Sequence, residues 1–206
     1  MNRPSTIAVD TGHAWVLVDY RTGRTELRTT PPDGQRLCAT VRLGKQVPSW
    51  GTGETAAVLP CPPRRRPLWL LLCLPAVTVT AAALLLGPRG GRLGRLVVLA
   101  SLGRRLPPAS NGRVRAALDA VRALSAYLPG RWACLEQSVA TAFLLALTGR
   151  RAEWRHGLAT DPVRLHAWVA DRDGHPVGEG PDISAYTPIR TTDGPVLGPT
   201  LEKTLE

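Results

Sequence analysis

The chain has 206 residues, 44% of them hydrophobic, and a formal charge of +10. That length and apolar content fit one domain with at most a small appendage, and they exclude wholesale disorder. The basic side chains are 24 arginines and two lysines, and the sequence pI near 10.6 raises nucleic acid or an anionic membrane as partners.

The charge is uneven. Residues 1–60 carry seven basic and five acidic side chains, and residues 133–206 carry seven basic and ten acidic. Residues 61–132 hold twelve arginines against Asp119 alone. The surplus therefore belongs to the middle of the chain, which argues against a uniformly basic nucleic-acid coat. No recognition-helix signature accompanies it, so nucleic acid is not expected as a partner. The spacings suggest three pieces: a small β-rich region over 1–60, a basic, apolar helical segment over 61–112, and a mixed domain over 113–206.

In chain order, Thr6–Val9 and Ala14–Tyr20 read as strands. Arg21-Thr22-Gly23-Arg24 follows as a turn and Thr25–Arg28 as the returning strand, a hairpin signal. Pro31-Pro32-Asp33-Gly34 breaks the pattern. Residues 35–43 are strand or short helix, 44–54 loop, and 55–59 a last short strand. Residues 67–106 are expected to be helical, cut at Gly87-Pro88 and Gly90-Gly91. Within them Leu68–Leu86 is a run of 19 residues without a charge, flanked by Arg64-Arg65-Arg66 and Arg89. It meets the length needed to cross a bilayer. Pro75, Thr78 and Thr80 weaken that reading and favour a buried or membrane-surface helix broken at Pro75.

After Pro107-Pro108, the apolar residues Val114, Leu118, Val121, Leu124 and Leu128 recur every three or four positions, an amphipathic helix with its arginines on the other faces. Pro129-Gly130 stops it, and a second helix runs from about Cys134 to Thr148 with Gly149 as its C-cap. The pattern then changes to period two. Glu153–Thr160 and Arg164–Ala170 read as strands, Asp171–Gly174 as a hairpin turn and His175–Glu179 as a returning strand. Helices followed by an antiparallel sheet make this an α+β domain.

Four cysteines are present: Cys38, Cys61, Cys73 and Cys134. None forms a Cys-x-x-Cys pair or has a histidine at zinc-finger spacing, so neither a metal nor another cofactor is expected. The polar N-terminus carries no secretory signal, and reduced thiols in a cytoplasmic protein are expected. Cys134 sits in the first turn of its helix, where free amides and partial positive charge favour a thiolate and can hold an oxyanion. His166 lies mid-strand, with Glu179 on the next strand and Asp182 three residues beyond. A strand histidine facing a helix-start cysteine, oriented by an acid, is the arrangement of a nucleophilic cysteine site.

Cys134-Leu135-Glu136-Gln137-Ser138 resembles the Cys-Leu-x-x-Ser motif of the lasso-peptide leader peptidases, within the transglutaminase-like (papain-like) cysteine-protease superfamily. Gly157-Leu158 with Asp161-Pro162 resembles their Gly-Val-x-x-x-Pro strand, and His166-Ala167-Trp168-Val169 their His-Ala-Trp-Val. Pro176-Val177-Gly178-Glu179 resembles the strand bearing their catalytic acid. The resemblance implies Cys134 as nucleophile, His166 as base and Glu179 as orienting acid. The turn Asp171–Gly174 is one residue longer than usual, which leaves Asp182 as the alternative acid. It further implies a precursor leader peptide as substrate and an ATP-dependent macrolactam synthetase, itself resembling asparagine synthetase, as partner. Trp15, Val16, Leu17 and Val18, with Gly23, resemble the hairpin of small winged-helix modules that bind leaders along a strand edge. The competing expectation is a catalytically inactive, membrane-associated scaffold built on the same fold.

Overall fold

The computed structural model describes residues 5–33, 37–43, 67–128, 132–160 and 162–196. The expected loop over 44–54, the strand over 55–59, the Arg64–Arg66 triplet, Cys61 and Pro129-Gly130 lie outside them.

The N-terminal part is a four-stranded sheet. Strands β1 (Thr6–Asp10), β2 (Trp15–Asp19) and β3 (Thr25–Arg28) form an antiparallel meander, and β4 (Leu37–Arg42) joins the other edge parallel to β1, giving the order β3-β2-β1-β4. Gly23, with φ +79°, closes the second hairpin in a conformation that L side chains rarely adopt. Of the undecided segment 35–43, Leu37–Arg42 is thus strand.

Among the described residues four α-helices follow: α1 (Pro67–Leu85), α2 (Arg92–Ser101), α3 (Asn111–Ser125) and α4 (Cys134–Leu147). α1 is not broken at Pro75 as expected; it runs through, with Pro75 exposed. The carbonyl of Ala83 in its last turn is capped from α2 by Arg95 Nε at 2.7 Å. α3 and α4 pack on each other and on α1, and α2 packs on α4.

The second sheet has the order β6-β5-β7-β8, all antiparallel: β5 (Glu153–Thr160), β6 (Val163–Ala170), β7 (Thr187–Thr191) and β8 (Gly194–Pro195). The expected returning strand over His175–Glu179 is absent. The chain there makes one bridge, Ala170 to Pro176, closed by Asp171 N–H to His175 C=O and Val177 N–H to Val169 C=O, before it turns away. α4 packs across β5 and β6, so its first turn meets the middle of β6. One hydrophobic core joins the parts, from Ile7, Val16 and Val18 through Leu96, Val121 and Leu144 to Trp154 and Ile189. The fold is α+β, with helices followed by an antiparallel sheet and a β-rich N-terminal region.

Candidate active site

The position of Cys134 is built by a helix start. Ala133 precedes α4 in extended conformation and has no side-chain acceptor of its own; the Glu136 carboxylate accepts its N–H at 3.0 Å, half of a capping box. The first-turn amides, of which that of Leu135 faces the Cys134 sulfur, offer partial positive charge to an anion. Cys134, half-buried, turns its thiol towards the His166 side chain and the backbone of Ala167 and Leu135. Burial pushes the thiol up. The His166 contact, the two backbone bonds and the charge on His166 outweigh it, and the group sits below its ordinary value.

His166 stands on β6 opposite Gly157 of β5. Its Nε2 lies 2.8 Å from Glu179 Oε2, which leaves Nδ1 for the sulfur. Burial lowers its pKa, but the bonds to Cys134 and Glu179 and their charges raise it to about 9. Cysteine and histidine together therefore favour a thiolate beside an imidazolium. Trp168 stacks on the imidazole with centroids 5.9 Å apart, and Tyr186 tilts against it at 5.1 Å. Gly157 makes room for that tryptophan: a Cβ there would come within 2.7 Å of the indole. The Ser138 hydroxyl, one turn along α4, accepts the buried Trp154 indole N–H at 3.0 Å and ties the helix to β5.

Glu179 reaches His166 from a turn rather than from the expected strand. Gly178, with φ +75°, swings the chain back towards α3; a Cβ there would lie 2.6 Å from Leu118 and 3.0 Å from Arg122. Arg122 of α3 holds this turn, donating to Gly178 C=O at 3.0 Å, to Glu179 Oε1 at 3.4 Å and to Gln137 Oε1 at 3.4 Å. One guanidinium thus links the acid to the helix that begins with Cys134. Sequence reasoning missed Arg122 and Gln137, since period alone does not tell which arginine of an amphipathic helix turns inward. Asp182, the alternative acid, is exposed in a 3-10 turn (Pro181–Ala185); the carboxylate bonded to His166 is that of Glu179. Cys134, His166, Glu179, Arg122, Trp132 and Trp168 line one cleft of about 210 Å³.

The N-terminal residues are placed differently from expectation. Trp15, Val16, Leu17 and Val18 form β2, which is hydrogen-bonded to β1 on one side and β3 on the other, with Val16, Leu17 and Val18 buried. They offer no open edge for a leader strand, because both ladders are already satisfied. Among the described residues the sheet's edges are β3 and β4. His156 is buried on β5 with its Nδ1 2.6 Å from the Tyr20 hydroxyl. Burial, with the charges of His166 and Arg190, lowers it to about 4, so it stays neutral and joins the two sheets.

A family model described as the transglutaminase-like superfamily matches residues 76–191, more than half of the chain, from within α1 to the end of β7. Comparison with curated proteins and with solved structures found no match.

Proposed function

The chain belongs to the transglutaminase-like superfamily, and from that premise we propose that it is a cysteine peptidase that removes the leader from a ribosomally made, lasso-type precursor peptide. The observation that carries the reading is the line from Cys134 at a helix start, through His166, to a carboxylate 2.8 Å from the imidazole, all in one cleft. The lasso-specific part rests on the four sequence motifs around these residues.

In this mechanism the Cys134 thiolate attacks the carbonyl at the leader–core junction, forming a C–S bond. The oxyanion is held by amides of the first turn of α4. The His166 imidazolium gives its proton to the departing core amine as the C–N bond breaks, leaving a thioester on the leader's C-terminal residue. Neutral His166 then takes a proton from water, the hydroxide attacks the thioester, and the thiolate departs from a free leader carboxylate. Glu179 keeps the ring oriented and stabilises its charged form. The new α-amine of the core is the nucleophile that an ATP-dependent macrolactam synthetase, resembling asparagine synthetase, would use for ring closure. That reaction belongs in the cytoplasm, where ATP is available.

The test is cleavage of the cognate precursor by purified protein. Cys134→Ala is expected to lower the rate by at least about 10⁴-fold. Undiminished cleavage by that variant contradicts the assignment.

A further inference from the structure

α1 follows the usual rule only in part. Its fully buried stripe is Cys73, Ala76, Val77 and Thr80, with Trp69, Leu70 and Leu84 partly buried against the core beside it, and the Thr80 hydroxyl bonds back to Ala76 C=O at 2.8 Å. Its outward stripe is Leu68, Leu71, Leu72, Pro75, Val79 and Leu86, following the three-and-four spacing of one helix face. Leu68, Leu71, Leu85 and Leu86 are 65–76% exposed. A helix arranged by water turns its largest apolar side chains inward. Small residues at the helix contacts and leucines on the outside are the pattern of helices surrounded by lipid. The helix is 19 residues long with a mean hydropathy of 2.3, and 22% of its most apolar stretch is buried.

The surroundings carry one sign of charge. Between Glu54 and Asp119 the chain has ten arginines and no carboxylate. Among the described residues Arg89 and Arg92, both exposed, follow the C-terminal end of α1. Beside the helix, Leu70, Leu71, Leu74, Ala123, Leu124 and Tyr127 line a groove of about 340 Å³ with almost wholly apolar walls. Tyr127, at the end of α3, is 73% exposed, suited to the interfacial depth where aromatic hydroxyls settle.

We propose that α1 lies in the plane of an anionic lipid bilayer, its outward leucines among the acyl chains and its flanking arginines on the headgroups. Because α3 and α4 pack along its other side, α1 lies on the surface rather than crossing it. The groove between α1 and α3 takes part of an acyl chain. The partner is chosen by charge: a second copy of this chain would set arginine-rich surfaces against each other, whereas anionic lipid supplies the missing negative charge.

The test uses the full chain and vesicles of phosphatidylcholine with or without phosphatidylglycerol, read by co-sedimentation. The wild-type protein is expected to pellet with the anionic vesicles, less so as salt rises. Substituting Leu68→Gln, Leu71→Gln and Leu85→Gln together should cut partitioning on the order of 100-fold. Arg89→Glu with Arg92→Glu should cut it roughly tenfold on anionic vesicles and leave the neutral ones unchanged. Circular dichroism and the alkylation rate of Cys134 verify the fold of each variant. If the triple variant does not fold, Leu71→Gln alone should weaken binding several-fold. Absence of vesicle binding by the folded wild-type chain would overturn the proposal. So would equal binding by the folded leucine variants, or a lipid-free dimer that the leucine substitutions disperse while vesicles capture nothing.

Discussion

α1 and α4 are both apolar, lie in contact, and are arranged in opposite ways. α4 buries Val139, Phe143, Leu144 and Leu145 against the sheet and the other helices and exposes Leu147 at its end, while its half-buried first turn brings Cys134 to β6. α1 fully buries only small and β-branched side chains, packs Trp69, Leu70 and Leu84 partly against the core, and presents Leu68, Leu71, Leu72, Leu74 and Leu85 to the outside. Composition alone therefore does not decide where a helix sits. The position of its bulky residues around the axis does, and it separates a helix that serves as a rigid platform for a reactive group from one that offers a surface.

Substitutions that exploit this difference range widely in effect. The largest should come from the core of α4: Leu144, fully buried, when cut to Ala leaves a cavity costing ~2–5 kcal/mol of stability, measurable by denaturant unfolding. Next come the residues behind Cys134 and His166. Glu179→Ala removes the carboxylate that raises His166 and should slow precursor cleavage about 100-fold. Arg122→Ala leaves Glu179 in place without its clamp, so a smaller loss, roughly tenfold, is expected, with partial recovery in Arg122→Lys. The smallest effect belongs to α1: Leu71→Gln in the absence of lipid should alter stability by no more than about 0.5 kcal/mol, because its side chain is already exposed. A large destabilisation by Leu71→Gln would erase the contrast between the two helices.

Much of this arrangement is legible before folding. The turn at Gly23, the amphipathic period of α3, the helix start at Cys134 and the two long strands β5 and β6 all follow from local rules. What local rules do not reach is tertiary. β7 hides behind Pro188, a residue that usually argues against a strand, yet Pro188 pairs opposite Gly157 in the ladder with β5. Alternation over His175–Glu179 suggests a strand, but Gly178 takes a left-handed conformation because α3 approaches too closely for any side chain. That turn is what delivers Glu179 to His166. The hairpin of Trp15–Asp19 with Thr25–Arg28 reads correctly from its turn, whereas the neighbour on the other side becomes visible only once β1 is paired with β2.

The central claim is that Cys134 and His166 form a thiolate–imidazolium pair in the cleft. The rate of iodoacetamide alkylation at Cys134, followed from mildly acid to alkaline pH, tests it most directly. The account predicts that Cys134 is already reactive well below pH 9 and outpaces the more exposed Cys38, with a second inflection near pH 9 as His166 loses its proton. In His166→Ala both features should vanish, leaving one titration of an ordinary thiol at about 8.5. The same single, ordinary titration in wild type and His166→Ala would contradict it.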